Sequence, residues 1–193
     1  SAVHVGHSGF RKDQRERRFR QYQKIENSFF CGFDHGWVDP CAGIELYFDE
    51  KNKRIFAINE LYQRKLKLTE IGKRLKECIP RTGEGWPVQV DNARPDVIDH
   101  LRDCAINAQS CKKIQIKERI DALQTYLIVV HPRCENLLME LSSYRWQKDR
   151  NDAILPVPID EQNHILDSIS YALSGELVYG KTGYRTFKND PYL

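Results

Sequence analysis

Residues Phe29–Pro40 read Phe-Phe-Cys-Gly-Phe-Asp-His-Gly-Trp-Val-Asp-Pro, an apolar run that ends in one carboxylate. Side chains alternate across a strand, so Phe30, Gly32 and Asp34 share one face and Phe29, Cys31 and Phe33 the other. Gly36 and the Asp39-Pro40 pair then stop the strand and turn the chain. Asp34 is therefore either a metal ligand at a strand end reached from solvent or a turn-forming Asp, and this stretch leaves both open.

The residues that follow build a meander. Cys41–Phe48 alternates Ala42, Ile44, Leu46 and Phe48 against Gly43, Glu45 and Tyr47, and the polar turn Asp49–Lys53 leads into a third strand, Arg54–Tyr62. Glu60 keeps phase with Phe56 and Ile58, as a carboxylate facing a site or as a satisfied edge residue. Helices and strands then alternate. Thr69 is placed to cap a helix carrying Ile71, Leu75, Cys78 and Ile79, and Pro80–Pro87 is a loop. Val88–Asp91 is a short strand ending in a second carboxylate, and Pro95 opens a helix with Val97, Ile98 and Leu101. Asp91 lies where ligands bind in open α/β sheets, though a turn former would occupy the same position.

A weak strand at Ala105–Gln109 precedes a helix with Ile116, Ile120 and Leu123 on its buried stripe. Lys112, Lys113, Lys117 and Arg119 cluster there, as phosphate contacts or as a solvated helix face. Leu127–Val130 reads as a strand covered on both faces, and the helix after Pro132 buries Leu137, Leu138 and Leu141. Tyr144–Pro158 reads as an exposed β-hairpin around Asn151-Asp152, offering Arg145, Trp146, Lys148 and Arg150 to nucleic acid. The last helix follows Asp160, with core residues Ile165, Leu166, Ile169, Ala172 and Leu173. Asp160, His164, Asp167 and Tyr171 fall on its other side.

The 193 residues suit one domain, expected at 29–175, behind a basic lead-in or linker (1–28) and before a tail (176–193). Arg11–Arg20 holds six basic and two acidic residues, but the whole chain has 30 Lys and Arg against 27 Asp and Glu. A net charge of +3 permits nucleic-acid binding without requiring it. The six cysteines form no Cys-x-x-Cys pair, so reduced thiols in a cytosolic protein are expected. No run approaches the roughly 18 apolar residues of a membrane span, and no signal-peptide core is present.

Three antiparallel strands followed by αβαβα units place the first strand centrally in a mixed sheet flanked by helices, in ribonuclease H order, with the hairpin added. The ends of the first and fourth strands are then neighbours, so Asp34 and Asp91 approach, and a late helix packed on the sheet delivers Asp167. Three carboxylates repel one another unless cations neutralise them. Two Mg²⁺ or Mn²⁺ ions about 4 Å apart suit such oxygen ligands, and the chemistry they serve is phosphodiester hydrolysis. His164 can orient a ligand, shuttle a proton or make an outer contact, with Asn163, Glu60 and Asp39 as further residues around the ligands.

The motif order resembles the nuclease domain of tailed-bacteriophage terminase large subunits. It runs through Phe33-Asp-His-Gly-Trp-Val-Asp-Pro40, Arg54-Ile-Phe-Ala-Ile-Asn-Glu-Leu-Tyr62 and Val90-Asp-Asn-Ala-Arg-Pro95. It continues through Lys112-Lys113, His131-Pro-Arg-Cys134, Tyr144-Arg-Trp146 and Asn163-His-Ile-Leu-Asp-Ser-Ile-Ser-Tyr-Ala172. The resemblance implies a metal-dependent endonuclease that cuts concatemeric viral DNA at the start and end of packaging, with Asp34, Asp91 and Asp167 as ligands and His164 beside the last. Where the family has an Arg, this chain has Ser170, and Ile114 and Gln115 replace small residues after the paired lysines. The implied partners are double-stranded viral DNA, a small terminase subunit, the capsid portal and a packaging ATPase domain, at the procapsid portal in the host cytoplasm. Gly175-Glu-Leu-Val-Tyr-Gly-Lys-Thr182 fits the Gly-x-x-x-x-Gly-Lys-[Ser/Thr] pattern, but it follows a helix rather than the strand a phosphate-binding loop requires, so an excised C-terminal domain is expected. The alternatives are a resolvase- or transposase-type nuclease and a non-catalytic DNA clamp or portal-docking module.

Overall fold

A computed structural model describes residues 29–112, 116–143, 146–148, 154–158 and 163–179. The Arg11–Arg20 segment, Lys113, Arg145, the Asn151-Asp152 turn and Asp160 lie outside the described residues. Six strands form one sheet in the order β5-β4-β1-β2-β3-β6. They are β1 (Phe29–Asp34), β2 (Cys41–Asp49), β3 (Arg54–Gln63), β4 (Val88–Val90), β5 (Ala108–Ser110) and β6 (Leu127–Val130). β1 to β3 are the antiparallel meander, and β4 and β5 continue it in parallel on the far side of β1. The hairpin also forms, from β7 (Trp146–Lys148) and β8 (Ile154–Pro158).

The helices are α1 (Leu68–Cys78), α2 (Pro95–Asp103), α3 (Ile116–Leu123), α4 (Glu135–Ser143), α5 (His164–Ala172) and α6 (Ser174–Tyr179). α6 runs past the expected domain end at 175. Two cores sit on opposite sheet faces. Cys31, Phe33, Val88 and Val90 pack with Ile71 and Leu75 of α1 and Val97 and Leu101 of α2. Ala42, Ile44 and Leu46 pack with Leu137 of α4 and Ile165, Ile169 and Ala172 of α5. β2, the middle strand of the β1–β3 meander and covered on both faces, is buried from Cys41 to Phe48. Its one charge there, Glu45, meets Arg81 Nε at 2.8 Å and Asn59 Nδ2 at 3.0 Å.

Three expectations are corrected. β6 does not lie on the parallel side of β1 but pairs in parallel with β3 at the opposite edge. Its Leu127 is 41% exposed. An apolar run has no alternation to separate a doubly covered strand from an edge strand. Thr69 caps nothing: α1 starts at Leu68 after an extended Lys67, with Glu70 supplying the negative charge of its first turn. Finally, a bulge skips Ile58, so that Glu45 faces Asn59 while Leu46 faces Ala57. The extra residue inverts the alternation, and Glu60 leaves the Phe56 and Ile58 face for the one covered by α4.

Candidate metal centre

The parallel register of β1 and β4 pairs Gly32 with Gln89 and Phe33 with Val90. The next residues on each strand, Asp34 and Asp91, therefore stand at adjacent strand ends on the sheet's carboxyl edge. Phe33 and Val90 are both buried under α1 and α2. Alternation then turns Asp34 and Asp91 to the other face, where α5 lies.

Gly32 sets how closely α5 approaches. A Cβ there would stand 1.9 Å from the Ser168 backbone oxygen and 2.9 Å from the Ala172 nitrogen. Ser168 Oγ also donates to the Ala42 carbonyl of β2 at 2.9 Å. This contact brings the first turns of α5 to the end of β1. His164 Nδ1 lies 3.5 Å from Asp34 Oδ2, and its Nε2 lies 4.0 Å from Asp39 Oδ1. The Asp34 carboxylate raises the His164 pKa above its ordinary value, against burial, which lowers it. Asp167 is one turn further along α5, directly before Ser168, and its backbone N–H donates to the Asn163 carbonyl at 2.8 Å.

On the Asp91 side, Oδ1 accepts the N–H of Ala93 at 3.1 Å, so Asp91 shapes its own turn with one oxygen. Arg94 follows. Its Nη1 is 2.6 Å from His35 Nδ1, and its Nε and Nη2 donate to both carboxylate oxygens of Asp96. The guanidinium thereby joins the loop after β4 to the loop after β1. Burial and the adjacent Arg94 charge lower the His35 pKa.

Of the further residues, Glu60 is occupied elsewhere. Its carboxylate accepts Asn136 N, Asn136 Nδ2 and Leu137 N at 2.8–3.0 Å, holding the N-terminus of α4. Asn163 is the N-cap of α5 without a side-chain capping bond. Instead, the buried Glu140 of α4 accepts the N–H groups of Ile165 and Leu166 at 2.9–3.0 Å. Thus β3 fixes α4 through Glu60, and α4 fixes the helix carrying His164 and Asp167 through Glu140. Sequence reasoning missed Glu140 because its partners are backbone groups 25 positions away.

Lys112, exposed beyond the end of β5, is tied by its N–H to Ser174 Oγ at 3.2 Å. Lys117 falls on α3, and Trp146 and Lys148 on β7. Among the described residues, no three His, Cys, Asp or Glu side chains converge closely enough to hold one ion as they are oriented. Strand register nevertheless sets Asp34 and Asp91 at neighbouring strand ends. Their positions still fit a hard divalent cation: oxygen donors at two adjacent strand ends, with α5 seated against the glycine between them and the core.

Three comparisons bear on this geometry. The family described as "Terminase RNAseH like domain" matches residues 32–175. The terminase large subunit of Bacillus phage SPP1 is 30% identical over 159 residues, covering 77% of this chain and 36% of that protein. The PBSX phage terminase large subunit of Bacillus subtilis (strain 168) is 27% identical over 151 residues, covering 75% of this chain and 34% of that protein. The chain thus spans about a third of the length of these relatives. Among solved structures, the large terminase (g2p) nuclease domain of bacteriophage SPP1 with bound Mn superposes with a TM-score of 0.73 at 26% identity, covering 81% of this chain and 90% of that one. The P22 large terminase nuclease domain shares the fold, with a TM-score of 0.62 at 13% identity over 79% of this chain and 84% of that one.

Proposed function

Because the chain belongs to the terminase RNase H-like domain family, we propose that it is the divalent-metal-dependent endonuclease part of a terminase large subunit, cutting concatemeric viral DNA at the start and end of genome packaging. The observation that supports this reading is the pairing of β1 with β4, which sets Asp34 and Asp91 at neighbouring strand ends, with His164 of α5 3.5 Å from Asp34. The Mn bound in the SPP1 nuclease domain supports a divalent ion here.

Asp34, Asp91 and Asp167 hold the cations, two Mg²⁺ or Mn²⁺. When bound, such ions supply an acidified water and neutralise charge at the leaving oxygen. The chain's own groups do the rest. His164 beside Asp34 orients that carboxylate and can carry a proton at the imidazole nitrogen facing it. Glu140 holds the turn that presents His164. Arg94 keeps the Asp34 and Asp91 loops together through His35, and Lys112, Lys113, Lys117, Arg145, Trp146 and Lys148 contact DNA. The same proposal assigns the domain a packaging ATPase, a small terminase subunit and the capsid portal as partners in the host cytoplasm.

Plasmid nicking tests it. Cleavage that requires Mn²⁺ or Mg²⁺ and disappears in Asp91→Ala is the expected result. Undiminished cleavage by Asp91→Ala overturns the ligand set, preference for branched DNA favours a resolvase, and binding without cutting favours a clamp.

A further inference from the structure

The turn after Asp34 carries two apolar side chains to solvent, with Trp37 56% and Val38 76% exposed. Its backbone is held from both ends. The Cys41 thiol donates to the Gly36 carbonyl at 3.0 Å, and Lys65 N–H donates to the Trp37 carbonyl at 3.4 Å. Gly36 admits no side chain, since a Cβ would fall 2.5 Å from the Asp39 oxygen. Lys65 adopts a positive φ of 56°, an unfavourable conformation for a residue with a side chain, and in it aims its N–H at Trp37. An apolar tip on a braced turn beside a carboxylate centre has no core to fill, which marks a contact surface.

The surrounding charge identifies the partner. The segment braced against Trp37 reads Arg64-Lys65-Leu66-Lys67, with Leu66 buried and all three cations exposed. None of the three forms an ion pair with a described residue. Unpaired cations flanking an apolar, aromatic tip match duplex DNA: phosphates take the cations, and an apolar wedge enters the minor groove and unstacks a base step. We propose that Trp37 and Val38 form such a wedge beside the cleavage centre, with Arg64, Lys65 and Lys67 gripping the flanking phosphates. The inference rests on the nuclease proposal and adds to it a DNA contact on the meander side of Asp34, across from Lys112.

The test uses the 193-residue chain and a fluorescein-labelled linear duplex in EDTA, read by anisotropy across a salt series. Trp37→Ala weakens binding about tenfold, as expected for loss of one stacked aromatic, with an unchanged salt slope. Trp37→Phe stays within about threefold of wild type. Joint replacement of Arg64, Lys65 and Lys67 by Gln lowers the salt slope by about two to three, close to 0.9 per phosphate contact. The Trp37→Ala defect shrinks on a duplex with a mismatch bubble, where unstacking is already done. Tryptophan emission falls on binding in wild type and less so in Trp37→Phe, a readout independent of any folding defect in the Ala variant. Wild-type affinity in Trp37→Ala, or equal quenching in Trp37→Phe, overturns the proposal. Wild-type binding without metal-dependent cleavage instead removes the nuclease proposal and leaves the wedge intact.

Discussion

Gly32 of β1 and Ser168 of α5 meet so closely that no side chain fits between them: a Cβ on Gly32 would lie 1.9 Å from the Ser168 oxygen. Both obstructing groups, Ser168 O and Ala172 N, are backbone, so relief requires α5 to move. Gly32→Ala should lower stability by about 2–3 kcal/mol, at the upper end for atoms added to a packed core. Because α5 carries His164 and Asp167, cleavage should fall even at temperatures where the variant remains folded. Thermal unfolding and single-turnover cleavage at low temperature, compared with Gly83→Ala at an uncrowded site, check this.

Glu140 is the second fastening of the same helix. Replacing it by Ala leaves the N–H groups of Ile165 and Leu166 without their acceptor, a loss of about 1–3 kcal/mol. Glu140→Gln keeps one acceptor oxygen and should recover part of that stability. Urea unfolding of both variants separates the hydrogen bonds from the charge.

The pH dependence follows from two groups with the same sign. Burial raises Glu140 from 4.5 to about 7 although backbone donors pull it down. Between those values the folded state binds more protons than the unfolded state, so stability falls as pH rises, by up to about 3 kcal/mol. His164 is raised by Asp34, so its contribution is complete below its unfolded pKa of 6.5 and disappears as pH climbs through its higher folded value. Metal-free protein should therefore melt lower at pH 8 than at pH 5.5, and Glu140→Gln should flatten the curve. Added Mn²⁺ should stabilise more at the higher pH, where the His164 proton that competes for the Asp34 carboxylate has left.

On the opposite sheet face, Arg81 covers the buried Glu45 and lies 3.4 Å above the Phe29 ring. Arg81→Ala strands that carboxylate and should cost about 3 kcal/mol. Cleavage by the fraction still folded should be unchanged, since none of these groups reaches the Asp34 edge. Calorimetry paired with activity corrected for folded protein checks both halves.

The meander and the parallel pair were legible because alternation and turn residues are local signals, and Asp34 and Asp91 stood out as acids ending apolar runs. Strict alternation puts Glu60 in the wrong phase, since the Ile58 bulge leaves no mark in residue type. The edge position of β6 was invisible for a related reason: strand order depends on where a crossover lands. Glu140 and Arg94 went unassigned because a carboxylate that caps a distant helix, or a guanidinium that bridges two loops, looks like any surface charge.

Ser168 and the Ala42 carbonyl it grips are 126 positions apart, so the centre closes only after nearly all of the fold has been synthesised. A partly made chain holds the Asp34 and Asp91 strand ends, but lacks the helix that carries His164 and Asp167. Contacts of such long sequence separation form late. On the proposed function, chain order thus acts as a timing safeguard, keeping an unfinished polypeptide from acquiring the means to cut nucleic acid.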